Sequence, residues 1–103
     1  MRLNMYAIFD RASGVYDRPF QSHSDQSAMR LFVDTCTNKD HFIAQHPDDF
    51  TLFRVGTWDD NKGQLVGEVP EKVINGVEAV ASTQKVDVQA QEDLENEILE
   101  VVN

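Results

Sequence analysis

The stretch His46–Val69 constrains the fold more tightly than any other part of this 103-residue chain. His46-Pro47-Asp48-Asp49 is turn chemistry. Proline fixes one dihedral and suits a first helical position, and aspartates hydrogen-bond nearby backbone N–H groups. Phe50-Thr51-Leu52-Phe53-Arg54-Val55-Gly56-Thr57-Trp58 then reads as a strand rich in aromatic and branched residues. Simple alternation sets Phe50, Leu52 and Trp58 on one face and Phe53 and Val55 on the other, the pattern of a central strand covered on both sides. Asp60-Asn61-Lys62-Gly63 closes a hairpin, with Gly63 at the left-handed position, and Gln64–Val69 returns as the partner strand. Pro70–Gly76 predicts a helical turn, started by proline and stopped by Asn75-Gly76.

The flanking segments supply what the hairpin must pack against. Leu3–Asp10 predicts a strand whose odd positions (Leu3, Met5, Ala7, Phe9) are buried and whose even positions (Asn4, Tyr6, Ile8) are partly wet. Ser13-Gly14 breaks it, Val15-Tyr16 adds a short return strand, and Arg18-Pro19-Phe20 is extended. A helix is predicted over residues 24–38, capped by Ser24 or Ser22, with Asp25 in its first turn. Ala28, Phe32 and Cys36 form an i, i+4, i+8 row beside Met29 and Val33. A loop over 39–46 tucks Phe42 and Ile43 inward.

The expected fold class is therefore α+β: a small, mainly antiparallel three- to four-stranded sheet with one helix packed on it, over residues 2–76. Residues 77–103 read as an acidic linker and tail. The linker is small and polar from Ala79 to Gln91, and residues 92–102 have the pattern of a short amphipathic helix. Both faces of the sheet are apolar and one helix covers one face, so a homo-oligomer is expected.

The formal net charge is −9, of which −6 falls in residues 77–103: Glu78, Asp87, Glu92, Asp93, Glu95, Glu97 and Glu100 against Lys85. Such a chain is repelled by nucleic acid at long range, the first 76 residues much less than the whole. The single cysteine, Cys36, excludes an intrachain disulfide and fits a reducing cytoplasm. No signal peptide and no membrane span are expected.

No residue set carries obvious catalysis. Cys36, His41 and His46 lack the fourth ligand and the paired cysteines of structural zinc. Asp48-Asp49 and Asp59-Asp60 sit beside turns, where aspartate serves local hydrogen bonds. Ser22-His23-Ser24 is no triad, and there is no nucleophile elbow, phosphate loop or dinucleotide fingerprint. The expectation is no enzyme, no cofactor and no metal. The set that could bind is aromatic and basic: Arg2, Tyr6, Arg11, Arg18, Arg30 and Arg54, with Tyr6 and Arg54 pointing outward and Phe9, Phe53 and Trp58 packed inside. Rings on a sheet edged by arginines stack on single-stranded bases.

His46-Pro47-Asp48-Asp49-Phe50, Leu52-Phe53-Arg54-Val55-Gly56, Trp58-Asp59-Asp60 and Gly63 together resemble a family signature. In that signature a His-Pro-acid-Asp-Phe run precedes a Leu-aromatic pair, a branched residue with glycine, an aromatic-Asp pair and a turn glycine. Arg18-Pro19-Phe20 resembles its upstream segment. The family is the small nonstructural protein of gokushoviruses and related Microviridae, phages with circular single-stranded DNA. The resemblance spans roughly residues 3–76. It implies a non-virion protein of the infected bacterium's cytoplasm, binding single-stranded DNA or a viral or host replication protein during genome replication and packaging. The competing expectation is a self-associating interaction module that captures a viral or host protein without contacting DNA.

Overall fold

The computed structural model describes residues 1–83; the expected helix at 92–102 lies outside them. The elements run β1 (Arg2–Asp10), β2 (Val15–Tyr16), β3 (Phe20–Ser22), α1 (Asp25–Thr37), α2 (Phe42–Gln45), a 3-10 turn at Pro47–Asp49, β4 (Phe50–Asp59) and β5 (Gln64–Asn75). A further helical segment occupies 76–83. The five strands form one antiparallel sheet in the order β2-β1-β4-β5, with β3 also paired to β1. The α+β class and the hairpin are as the sequence predicts, and Gly63 takes the expected left-handed conformation at φ 61°.

Helix α1 starts where the chain offers a cap: the Ser24 hydroxyl accepts from the Ser27 N–H at 3.1 Å. Its Ala28-Phe32-Cys36 row is buried against Tyr6, Leu52, Phe50 and Ile43, with Ile8, Ile74 and Met29 around them. Burial pushes the Cys36 thiol up to about 11.

Four expectations change. The core face of β1 is the even one: Tyr6 is 0% exposed and Ile8 packs beside it. Both faces of β1 are apolar, so alternation alone leaves open which one the helix takes. Second, Pro70–Gly76 is not a helical turn, because β5 continues to Asn75. Pro70 is tolerated because β5 is an edge strand and Glu68, Val69 and Pro70 bulge out between the pairs Gly56↔Gly67 and Arg54↔Glu71. Third, Phe42 does not tuck inward. It is 61% exposed while Ile43 is buried, since α2 turns only one side to the core. Fourth, the core does not stop at residue 76: Ala79 is fully buried in it and Val80 packs against it.

The last change has a local cause. The Asn75 carboxamide oxygen accepts from the Glu78 N–H at 2.8 Å and its amide donates to the Glu78 carboxylate at 2.8 Å. This reciprocal cap starts the segment at 76–83, with Lys72 adding an ion pair to Glu78 at 2.8 Å. Gly76 lies so close to the Pro47 carbonyl that an added Cβ would fall 2.9 Å from Pro47 Cα and closer still to its carbonyl atoms. The His-Pro turn and the Asn75-Gly76 junction are thus one packed unit.

Candidate interaction face

The helix covers one side of the sheet; the register defines the other. Ala7 pairs with Phe53, Met5 with Gly56 and Leu3 with Trp58. These residues lie on the side of β1 opposite Tyr6 and Ile8. Between Arg54 and Gly56 the register shifts by one residue at Val55. This bulge reverses the parity of β4, so Trp58 joins the face of Phe53 rather than that of Phe50 and Leu52. Leu65 pairs with Trp58 and extends the same side onto β5.

Three rings sit together on this open face. Phe9 packs on Tyr16 at 4.8 Å, and Phe53 meets Phe9 edge-on at 6.2 Å and Tyr16 at 5.5 Å. Tyr16 is 43% exposed. The expectation that Phe9, Phe53 and Trp58 belong to the interior is corrected: they are half-buried on the uncovered side, Phe9 and Phe53 in the ring cluster and Trp58 between its strand partners Leu3 and Leu65. Beside Tyr16 opens a cavity of about 250 Å³ whose walls include Ile8, Asp10, Asp17, Phe42 and Phe50.

The predicted binding residues do not converge. Tyr6 cannot stack on a base: its ring is enclosed and tilted against Phe20 at 6.0 Å. Its hydroxyl donates to Asp25 Oδ1 at 2.5 Å and accepts from the Asn4 amide at 3.2 Å. Burial, then the bond to Asp25, push this phenol up to about 12. Arg54 does not reach outward freely. It pairs with Glu71 at 2.6 Å, and its buried Nε, without a hydrogen-bond partner among the described residues, stands 4.0 Å from Glu68. Arg11 pairs with Asp49 at 2.9 Å and with Asp48 at 3.6 Å, and the bond to Asp49 raises its pKa further. Arg2 on β1, Arg18 in the connection between β2 and β3, and Arg30 on α1 are exposed and apart in the fold, with no carboxylate in ion-pair range among the described residues.

Among the described residues no group of His, Cys, Asp or Glu side chains gathers to hold a metal, and no helix is long and apolar enough to cross a membrane. Sequence reasoning missed two things here. One is the Phe9-Tyr16-Phe53 cluster, whose signal was the aromatic return strand opposite Phe9. The other is the Asn75-x-x-Glu78 cap, legible as a capping box.

No curated protein and no solved structure matches the chain. A family model described as Phage ORF5 protein matches residues 3–79, a span that takes in all five strands but for Arg2, together with α1 and the buried Ala79. The signature turn, the bulged strand with its open face and the junction at Gly76 all lie within that match, and the chain belongs to the Phage ORF5 protein family.

Proposed function

We propose that this phage protein is a non-enzymatic adaptor of the gokushovirus type. It acts in the infected cell's cytoplasm during genome replication and docks a viral or host replication protein on the open face of its sheet. The observation that carries this reading is that face itself: Leu3, Met5, Phe9, Phe53 and Trp58 lie on the side that α1 does not cover. A large uncovered apolar face marks an interaction surface. The net charge of −9 favours a partner whose apolar patch is ringed by basic residues.

A second reading, single-stranded DNA binding, is favoured by one observation. Tyr16 and Phe53 are rings on an open antiparallel sheet, where bases stack in other folds. Against it stand the buried Tyr6 and the neutralised Arg11 and Arg54. Fluorescence anisotropy with a labelled oligonucleotide at low and high salt separates the two. The adaptor reading expects no binding at either salt. Binding that weakens steeply with salt would replace it with the DNA reading, because phosphate contacts release counterions.

A further inference from the structure

The cavity of about 250 Å³ lies where α2 faces the turn between β1 and β2. Phe42, Ile43 and Phe50 give it an apolar wall, and Asp10, Ser13 and Asp17 give it a polar one. The Phe42 ring is 61% exposed and stands edge-on to Phe50 at 5.6 Å. The half-buried Asp10 carboxylate is held by its own turn: Oδ1 accepts from the Ala12 N–H at 2.9 Å and Oδ2 from the Ser13 hydroxyl at 3.0 Å. A carboxylate offers about four acceptor sites, so half of its capacity is left over. Asp17 Oδ1 accepts from the Arg18 N–H at 2.8 Å. Neither carboxylate has a cation in ion-pair range among the described residues. The chain's neighbouring arginines do not fill the gap, since Arg11 is engaged by Asp48 and Asp49 and neither Arg11 nor Arg18 lines the cavity.

We propose that this cavity is an anchor pocket for one arginine side chain of a partner polypeptide. Charge and size select that occupant. An apolar side chain would cover the Asp10 carboxylate without a countercharge, which is costly, and a phosphate would be repelled. The volume is below the roughly 300–1,000 Å³ of pockets that enclose a drug-sized molecule, and suits a single side chain. Arginine brings an apolar stem for Ile43 and Phe50 and a planar cation for the carboxylates and the exposed Phe42 ring. Its guanidinium is more weakly hydrated than an ammonium and forks onto carboxylate oxygens, so it is preferred to lysine. No basic side chain lines the cavity to receive the carboxylate of a free amino acid, which points to arginine within a chain. The pocket lies on the side of Ile8 and Phe50, so it stands or falls apart from what the open face docks.

Titration of the full chain with N-acetyl-arginine amide, followed through backbone amide chemical shifts in NMR, tests this. The probe is expected to give saturable shifts centred on Ser13, Asp17 and Ile43. The citrulline analogue, of the same shape without the charge, is expected to give none, and the lysine analogue and free arginine to bind more weakly. Asp17→Asn keeps an oxygen for the Arg18 N–H and removes the charge, and should weaken binding about fivefold, the upper end for a solvent-exposed ion pair. Phe42→Ala, at an exposed position, should weaken it about threefold. Shifts scattered over the acidic surface, equal shifts from citrulline, or binding that neither substitution moves would overturn the pocket. Equal binding of the lysine analogue would overturn the choice of guanidinium, and tighter binding of free arginine would overturn the polypeptide source.

Discussion

The Tyr6 hydroxyl donates to Asp25 across the seam between β1 and α1, and this one bond ties the sheet to the first turn of the helix. The sequence contained both partners but not their pairing. Tyr6 sits on a strand apolar on both sides, where its polar tip argues for an outward position and its ring for an inward one. Packing resolves the conflict by burying the ring against Phe20 and Phe32 while the tip finds an acceptor. Removing that hydroxyl in Tyr6→Phe should cost about 1 kcal/mol in urea unfolding at neutral pH, the lower part of the range because Asp25 remains exposed. The sign with pH follows from the raised phenol. The folded chain holds the proton up to about 12, whereas an unfolded tyrosine releases it near ~10. The contribution is whole below ~10 and is lost as pH rises toward 12. Wild type should therefore show a loss of stability across that window that Tyr6→Phe does not; equal alkaline profiles would mean the phenol is not shielded.

The β4–β5 hairpin was the most legible element, because turn chemistry, strand propensity and glycine placement all agreed over His46–Val69. What escaped was local irregularity. A single bulge at Val55 carries Trp58 to the opposite face, and no propensity scale marks where a bulge falls. Pro70 misled for a related reason. It starts helices well, yet an edge strand tolerates it equally, and which applies depends on what lies alongside. The element-scale prediction concerns Gly76, the first residue of the helical segment at 76–83. On propensity alone alanine would stabilise a helix by about 1 kcal/mol. The Pro47 backbone occupies the space a Cβ needs, and a main chain held in a 3-10 turn yields poorly. Gly76→Ala should therefore destabilise by about 1–3 kcal/mol. The sign of the change in urea midpoint decides between contact and propensity, and an unchanged or raised midpoint would show that the turn and the junction are not packed as one unit.

At the scale of the molecule the sequence located the helix and the sheet but drew the edge of the domain too early. Residues after Gly76 look like linker because they are small and lack aromatics. Small residues are also what fits a crowded gap: Ala79 fills one in the cluster of Tyr6, Phe32 and Leu52. The open face was hidden by the same ambiguity, since a half-buried Phe53 and a fully buried Leu52 are alike in sequence and differ only in which side α1 takes. The domain edge is directly measurable. Chains ending at residue 83 and at residue 76 differ by one short helical segment, which brings Ala79 and Val80 to the core and holds the Asn75–Glu78 cap. Burying an alanine methyl and part of a valine, with the cap added, amounts to about 2 kcal/mol. For a domain of this size that is a shift of roughly 8–16 °C in melting temperature. The chain ending at 83 should keep a single cooperative transition, and the one ending at 76 should melt lower by that margin. The shorter chain should also expose Cys36, whose burial holds its thiol protonated up to about 11, to alkylation faster than the longer one. Equal melting and equal alkylation would return the boundary to residue 76.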